Sequence, residues 1–99
     1  MEEEKEIKKI ILEIQENYRE RYNLKTDKAI FDHLLKQIER HIGKLNKLKD
    51  NEDIPGRFKR EIADMYLLSL GLIELEKVDD DIIKASADYY LKKTKGEIN

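Results

Sequence analysis

Residues 62–75 read IADMYLLSLGLIEL. Wound as a helix, the stretch is apolar on nearly every side. Such a helix touches neighbours on several faces, so this segment is expected to be the central helix of an all-α domain. Gly71 within it costs about 1 kcal/mol relative to Ala, which predicts a close helix crossing at that point.

The flanking segments supply the neighbours. Ile7, Ile10, Ile11, Ile14, Tyr18 and Tyr22 recur at spacings of three and four, making one apolar stripe. Acidic residues crowd the start of this first helix, where the helix dipole favours them. YNLKTD (22–27) breaks the pattern, and Thr26 is a natural N-cap for a second helix. That helix should bury Ile30, Phe31, Leu34, Leu35, Ile38, Ile42, Leu45 and Leu48. KDNEDIPG (49–56) reads as a loop, and it holds the only proline. Pro55 suits the first position of the third helix, where its missing N–H is no loss. After EKVDDD (76–81), Asp79 or Asp80 can cap a fourth helix bearing Ile82, Ile83, Ser86, Tyr89 and Tyr90. Lysines at its C-terminal end and then Gly96 fit a helix stop. The expected architecture is a single domain, a four-helix bundle with helices near 3–22, 27–49, 55–77 and 80–94.

Composition narrows the function. With 42% charged and 39% apolar residues in 99, a core is feasible but small, so oligomerisation is an expected source of stability. A formal charge of −2 argues against a dedicated nucleic-acid binder, which needs a basic surface to release counterions from phosphates. Without cysteine there is no disulfide, thiolate metal site or cysteine nucleophile. No apolar run approaches a membrane span, and MEEEKEIKK (1–9) is too acidic for a signal peptide. A cytoplasmic location is the expectation.

Glu61 and Asp64 are the strongest chemical candidates. At i and i+3 they share a helix face, and hard cations such as Mg²⁺ take carboxylate oxygens. An E-x-x-D pair alone is also what a solvated helix face looks like. His33 and His41 stand two turns apart, too far to chelate one zinc from a single helix, and are expected as surface or boundary residues. Ser69 and Ser86 have no histidine nearby in sequence. Tyr66, Tyr89 and Tyr90 suit a core or an interface. Lys84, Lys92 and Lys93 read as solvated lysines, and Arg57, Lys59 and Arg60 as partners for neighbouring acids.

A helix carrying RHIGKL (40–45), a loop, EIADMYLLSLGLIEL (61–75), an Asp-rich turn and a last amphipathic helix together resemble the MazG-like all-α nucleoside triphosphate pyrophosphohydrolase superfamily. The resemblance covers roughly residues 31–93. In that family an E-E-x-x-E cluster, often within E-E-V-G-E-L, precedes E-x-x-D on the next helix, and the carboxylates hold Mg²⁺ for pyrophosphate release. Here Ile42, Gly43 and Leu45 match, but Arg40 and His41 fall on the paired glutamates and Lys44 on the third. A second register, anchored on Ile38, recovers Glu39 as a carboxylate and loses the I-G-x-L match. The first keeps the apolar framework and is preferred.

A divalent ion about 4 Å from one positive charge is repelled by roughly 8 kcal/mol at an effective dielectric near 20. The sign opposes metal binding. The resemblance therefore implies a degenerate member in which Arg40, His41 and Lys44 face Glu61 and Asp64, so that cross-helix ion pairs replace metal bridges. It also implies a homodimer or larger homo-oligomer, acting as a structural or interaction module with no cofactor and with nucleotide binding optional. Two alternatives stand beside this reading. One is an active Mg²⁺-dependent pyrophosphohydrolase using Glu61, Asp64 and Glu39. The other is a helical partner-binding module unrelated to the superfamily.

Overall fold

In the computed structural model, which describes residues 2–50 and 56–98, the chain is all-α. Four helices follow one another: α1 (Glu2–Glu20), α2 (Asp27–Leu48), α3 (Arg57–Glu76) and α4 (Asp80–Thr94), with no strand among the described residues. Pro55 and the centre of the 49–56 loop lie outside the described residues.

Local chemistry sets the boundaries. The Thr26 hydroxyl accepts from the Ala29 N–H at 3.1 Å, and the Asp79 carboxylate from the Ile82 N–H at 2.9 Å. Each satisfies a donor that the first helical turn leaves without a partner. α1 ends at Glu20, two residues short of the expected end, because Asn23 turns left-handed (φ 57°) and the Leu24 N–H closes on the Tyr18 carbonyl at 3.0 Å. The Arg19 guanidinium then ties the turn to Asp27 at 2.5 Å. α3 stops at a left-handed Lys77 (φ 54°), where the Val78 N–H reaches the Ile73 carbonyl at 3.0 Å. This is the double-bonded helix stop usually built on glycine. Gly96 takes the same left-handed geometry after α4 (φ 81°).

α3 is the central helix. α2 packs along it most extensively, while α1 rests mainly on α3 and touches α2 less. Ile11, Ile30 and Leu34 form the buried aliphatic core. At the crossing, a Cβ on Gly71 would stand 3.4 Å from Leu34 Cδ1. The Gln15 side-chain amide donates to the Gly71 carbonyl at 3.0 Å. This bond draws a buried polar group of α1 onto the backbone of α3, across the gap that the missing side chain leaves.

α4 packs on none of the other three helices, and all fifteen of its residues are exposed. Ile82, Ile83, Tyr89 and Tyr90, expected on a buried face, are therefore uncovered within the chain. So are Ile10 of α1, Tyr22 just beyond its end, Ile42 of α2 and Tyr66 of α3. The accessible surface is 8311 Å². A folded monomer of this mass would expose about 5,900 Å², so the chain carries an excess of about 2,400 Å². The radius of gyration, 16.1 Å, likewise exceeds the approximately 13 Å of a compact chain this long. No helix is long and apolar enough to cross a membrane, among the described residues.

Candidate functional site

The α2–α3 pair brings together the two halves of the sequence pattern. α2 contributes Arg40, His41 and Lys44; α3 contributes Arg57, Arg60, Glu61 and Asp64, all lining one open cleft of about 770 Å³. The i, i+3, i+4 spacings on each helix place these groups on the faces that meet.

His41 and Glu61 lie at the floor of the cleft, each 8% exposed. His41 Nδ1 hydrogen-bonds Glu61 Oε2. A carboxylate can only accept, so this ring nitrogen carries the donated proton. On the other oxygen, Lys44 Nζ stands 3.8 Å from Glu61 Oε1, with the lysine side chain 42% exposed. The hydrogen bond from His41 holds the Glu61 carboxyl below its ordinary range. Burial works in the opposite direction, and the charges of Lys44, His41 and Arg57 add to the lowering.

Two expectations need correction. His41 is not a surface or boundary residue; it is buried against Glu61. Arg57 and Arg60 do not pair with neighbouring acids; like Arg40, they line the cleft without an ion pair to another described residue. The cross-helix pairs fall on His41 and Lys44 with Glu61, and Arg40 takes no part. Asp64 is half-buried and makes no hydrogen bond or ion pair with a described residue. Glu39 is exposed on α2 and lies outside the cluster of His41, Glu61 and Asp64, whose ligand atoms lie within 4.8 Å of one another.

Those three groups answer whether Mg²⁺ fits. Mg²⁺ demands near-octahedral oxygen coordination and is usually held by carboxylates together with substrate phosphates. Here one of the three donors is an imidazole nitrogen, and only the carboxylates of Glu61 and Asp64 are left to supply oxygen. The donor set does not fit Mg²⁺.

Beside this cleft lies a second, of about 390 Å³, and His41 and Asp64 line both. Its walls carry Tyr18, Tyr22 and His33, with the Tyr18 ring edge-on to His33 at 4.8 Å and to Tyr22 at 5.8 Å. Burial first, and then the neighbouring Tyr22, raise the Tyr18 hydroxyl above its ordinary pKa. The position of Tyr18 on the apolar stripe of α1 signals that it faces inward, but not that His33 meets it. Gln15 was not singled out from the sequence, although a polar residue four positions after Ile11 on that stripe is the available signal. Ser69 and Ser86 are exposed, and among the described residues neither bonds a histidine. Lys92 pairs with Asp88 at 3.1 Å and Lys93 sits over the Tyr89 ring, both away from the cleft.

The depressed Glu61 ionisation fixes a pH dependence. A carboxyl whose folded pKa lies below its unfolded value adds stability that is fully present above the unfolded value and is lost as pH falls through the folded one. Denaturant midpoints taken from neutral pH downward should therefore decline across the carboxyl range. In Glu61→Gln that decline should be shallower, from a lower neutral starting point.

No protein-family model, curated protein or solved structure matches this chain.

Proposed function

We propose that the protein is a homo-oligomeric helical interaction module, similar in plan to the MazG-like pyrophosphohydrolases but without their Mg²⁺-dependent chemistry. The observation that carries the reading is α4. A fifteen-residue helix bearing five large exposed apolar side chains packs on no other described helix of its chain. The surface excess of about 2,400 Å² exceeds the roughly 800 Å² per partner of a standard interface.

A second copy is the occupant that suits this surface. Between α1, α3 and the start of α4 runs a groove of about 550 Å³ lined by Ile7, Ile11, Tyr66, Leu70, Ile73 and Ile83, with Glu74 on its wall paired to Lys8. Beyond Ile83, α4 offers the exposed apolar side chains Ile82, Tyr89, Tyr90 and Leu91. One molecule thus carries both halves of a complementary contact, as a two-fold dimer requires. The catalytic side of the reading rests on the site: Glu61 is engaged by His41 and Lys44, and the family's paired glutamates have no counterpart in the cleft.

Light scattering across a concentration series should give a dimer or larger species, against 11.8 kDa for one chain. The double variant Ile83→Glu, Tyr90→Glu should give that monomer mass, with α1–α3 still helical. A wild-type chain that stays monomeric at high concentration would overturn self-association and favour an unrelated partner-binding module. Mg²⁺-dependent release of pyrophosphate from a nucleoside triphosphate, abolished by Glu61→Gln, would return the protein to the enzymes.

A further inference from the structure

We propose that His41, Glu61 and Asp64 form a site for a divalent ion of the zinc class (Zn²⁺, Co²⁺ or Ni²⁺) and not for Mg²⁺. The inference is independent of the oligomeric state.

Three donors converge from two helices. One ring nitrogen of His41 and one oxygen each of Glu61 and Asp64 lie within 4.8 Å of one another. Bonds of about 2.0–2.2 Å place the ligand atoms of a tetrahedral ion about 3.4 Å apart, so the ion requires the directly bonded His41 and Glu61 to move apart while Asp64 stays within reach. Packing already fixes two members, since His41 and Glu61 are each 8% exposed. The third, Asp64, has no hydrogen bond or ion pair with a described residue, so its carboxylate is uncommitted at the edge of a buried pair. The ion takes the place of the proton that His41 Nδ1 shares with Glu61.

Donor chemistry selects the metal. Imidazole with two carboxylates suits zinc, cobalt and nickel, whereas Mg²⁺ strongly prefers oxygen and its own waters. Local cations lower the affinity for every divalent ion alike, so the selectivity against Mg²⁺ rests on the donor set. Lys44 approaches Glu61 only to 3.8 Å, and its side chain is 42% exposed and can turn into solvent. Arg40, Arg57 and Arg60 line the same cleft and would favour an anion as any further ligand.

The test is titration of Co²⁺ into the untagged full chain at neutral pH, read by visible ligand-field absorption. Bands saturating at one Co²⁺ per chain are expected, discharged by Zn²⁺ and unaffected by a large excess of Mg²⁺. His41→Ala and Asp64→Asn should each weaken Co²⁺ at least about tenfold, the lower end of the cost of disturbing even a supporting partner. His33→Ala should leave the titration unchanged. If His41→Ala fails to fold, Asp64→Asn decides, because Asp64 has no partner among the described residues whose loss would loosen the helices. Absence of bands, retention of full affinity in Asp64→Asn, or displacement by Mg²⁺ would overturn the proposal.

Discussion

Gly71→Leu is expected to destabilise the protein by about 2–4 kcal/mol, combining overpacking of 1–3 kcal/mol with loss of one net hydrogen bond of about 1 kcal/mol. The Cβ alone would already stand 3.4 Å from Leu34 Cδ1, and the Gln15 amide nitrogen lies 4.0 Å from the same point. A longer side chain must displace one or both, and the Gln15 bond to the Gly71 carbonyl goes with the displacement. Gly71→Ala should behave in the opposite sense. Its methyl group reaches ordinary contact distance, so the helix-propensity gain of up to about 1 kcal/mol is largely retained. Urea unfolding of the two variants separates sterics from propensity. A Leu variant as stable as the Ala variant would mean that neither Leu34 of α2 nor Gln15 of α1 packs against this residue.

Ile30→Ala is expected to cost about 2–5 kcal/mol, against 0.5–1.5 kcal/mol for Ile30→Val. Ile30 is the only fully buried large side chain among the described residues, and it sits one turn into α2, behind the Thr26 cap. A cavity there has few neighbours able to collapse into it. In a domain of about 100 residues each kcal/mol moves the melting temperature by about 4–8 °C, so the Ala variant should melt at least about 8 °C lower. Since whole domains rest on about 5–15 kcal/mol, a core this small leaves little reserve. A shift of only a degree or two would show that the stability resides outside the core around Ile30.

What the sequence made legible, and what it did not, divides along the range of the interactions. Thr26, Asp79 and Gly96 were readable because a cap or a helix stop depends on a few consecutive residues. Gly71 was readable because a glycine inside an apolar helix has a cost that packing must offset. The facing of His41 and Lys44 toward Glu61 followed from keeping Ile42, Gly43 and Leu45 as the apolar framework. Depth was not readable. Periodicity gives the direction of a side chain but not how much protein lies over it, so His41 was expected at the surface and is buried. Gln15 was missed because its partner is a backbone carbonyl, a group every residue carries and no sequence pattern marks. The loose attachment of α4 was hidden for a related reason. An amphipathic pattern states that a face will be covered, and it does not state by which chain.

The unequal packing of the helices also sets an order of assembly. α2 and α3 share the most extensive contact and are consecutive in sequence, so the loop entropy for bringing them together is small and they should meet first. α1 depends on α3 for most of its contact, and it docks once that hairpin offers the gap at Gly71. α4 comes last. An isolated helix of fifteen residues is marginal in water, so in the proposed oligomer its consolidation awaits a collision between molecules. On the proposed self-association, the slowest step on the way to the finished protein is bimolecular, and its rate rises with the amount of chain present.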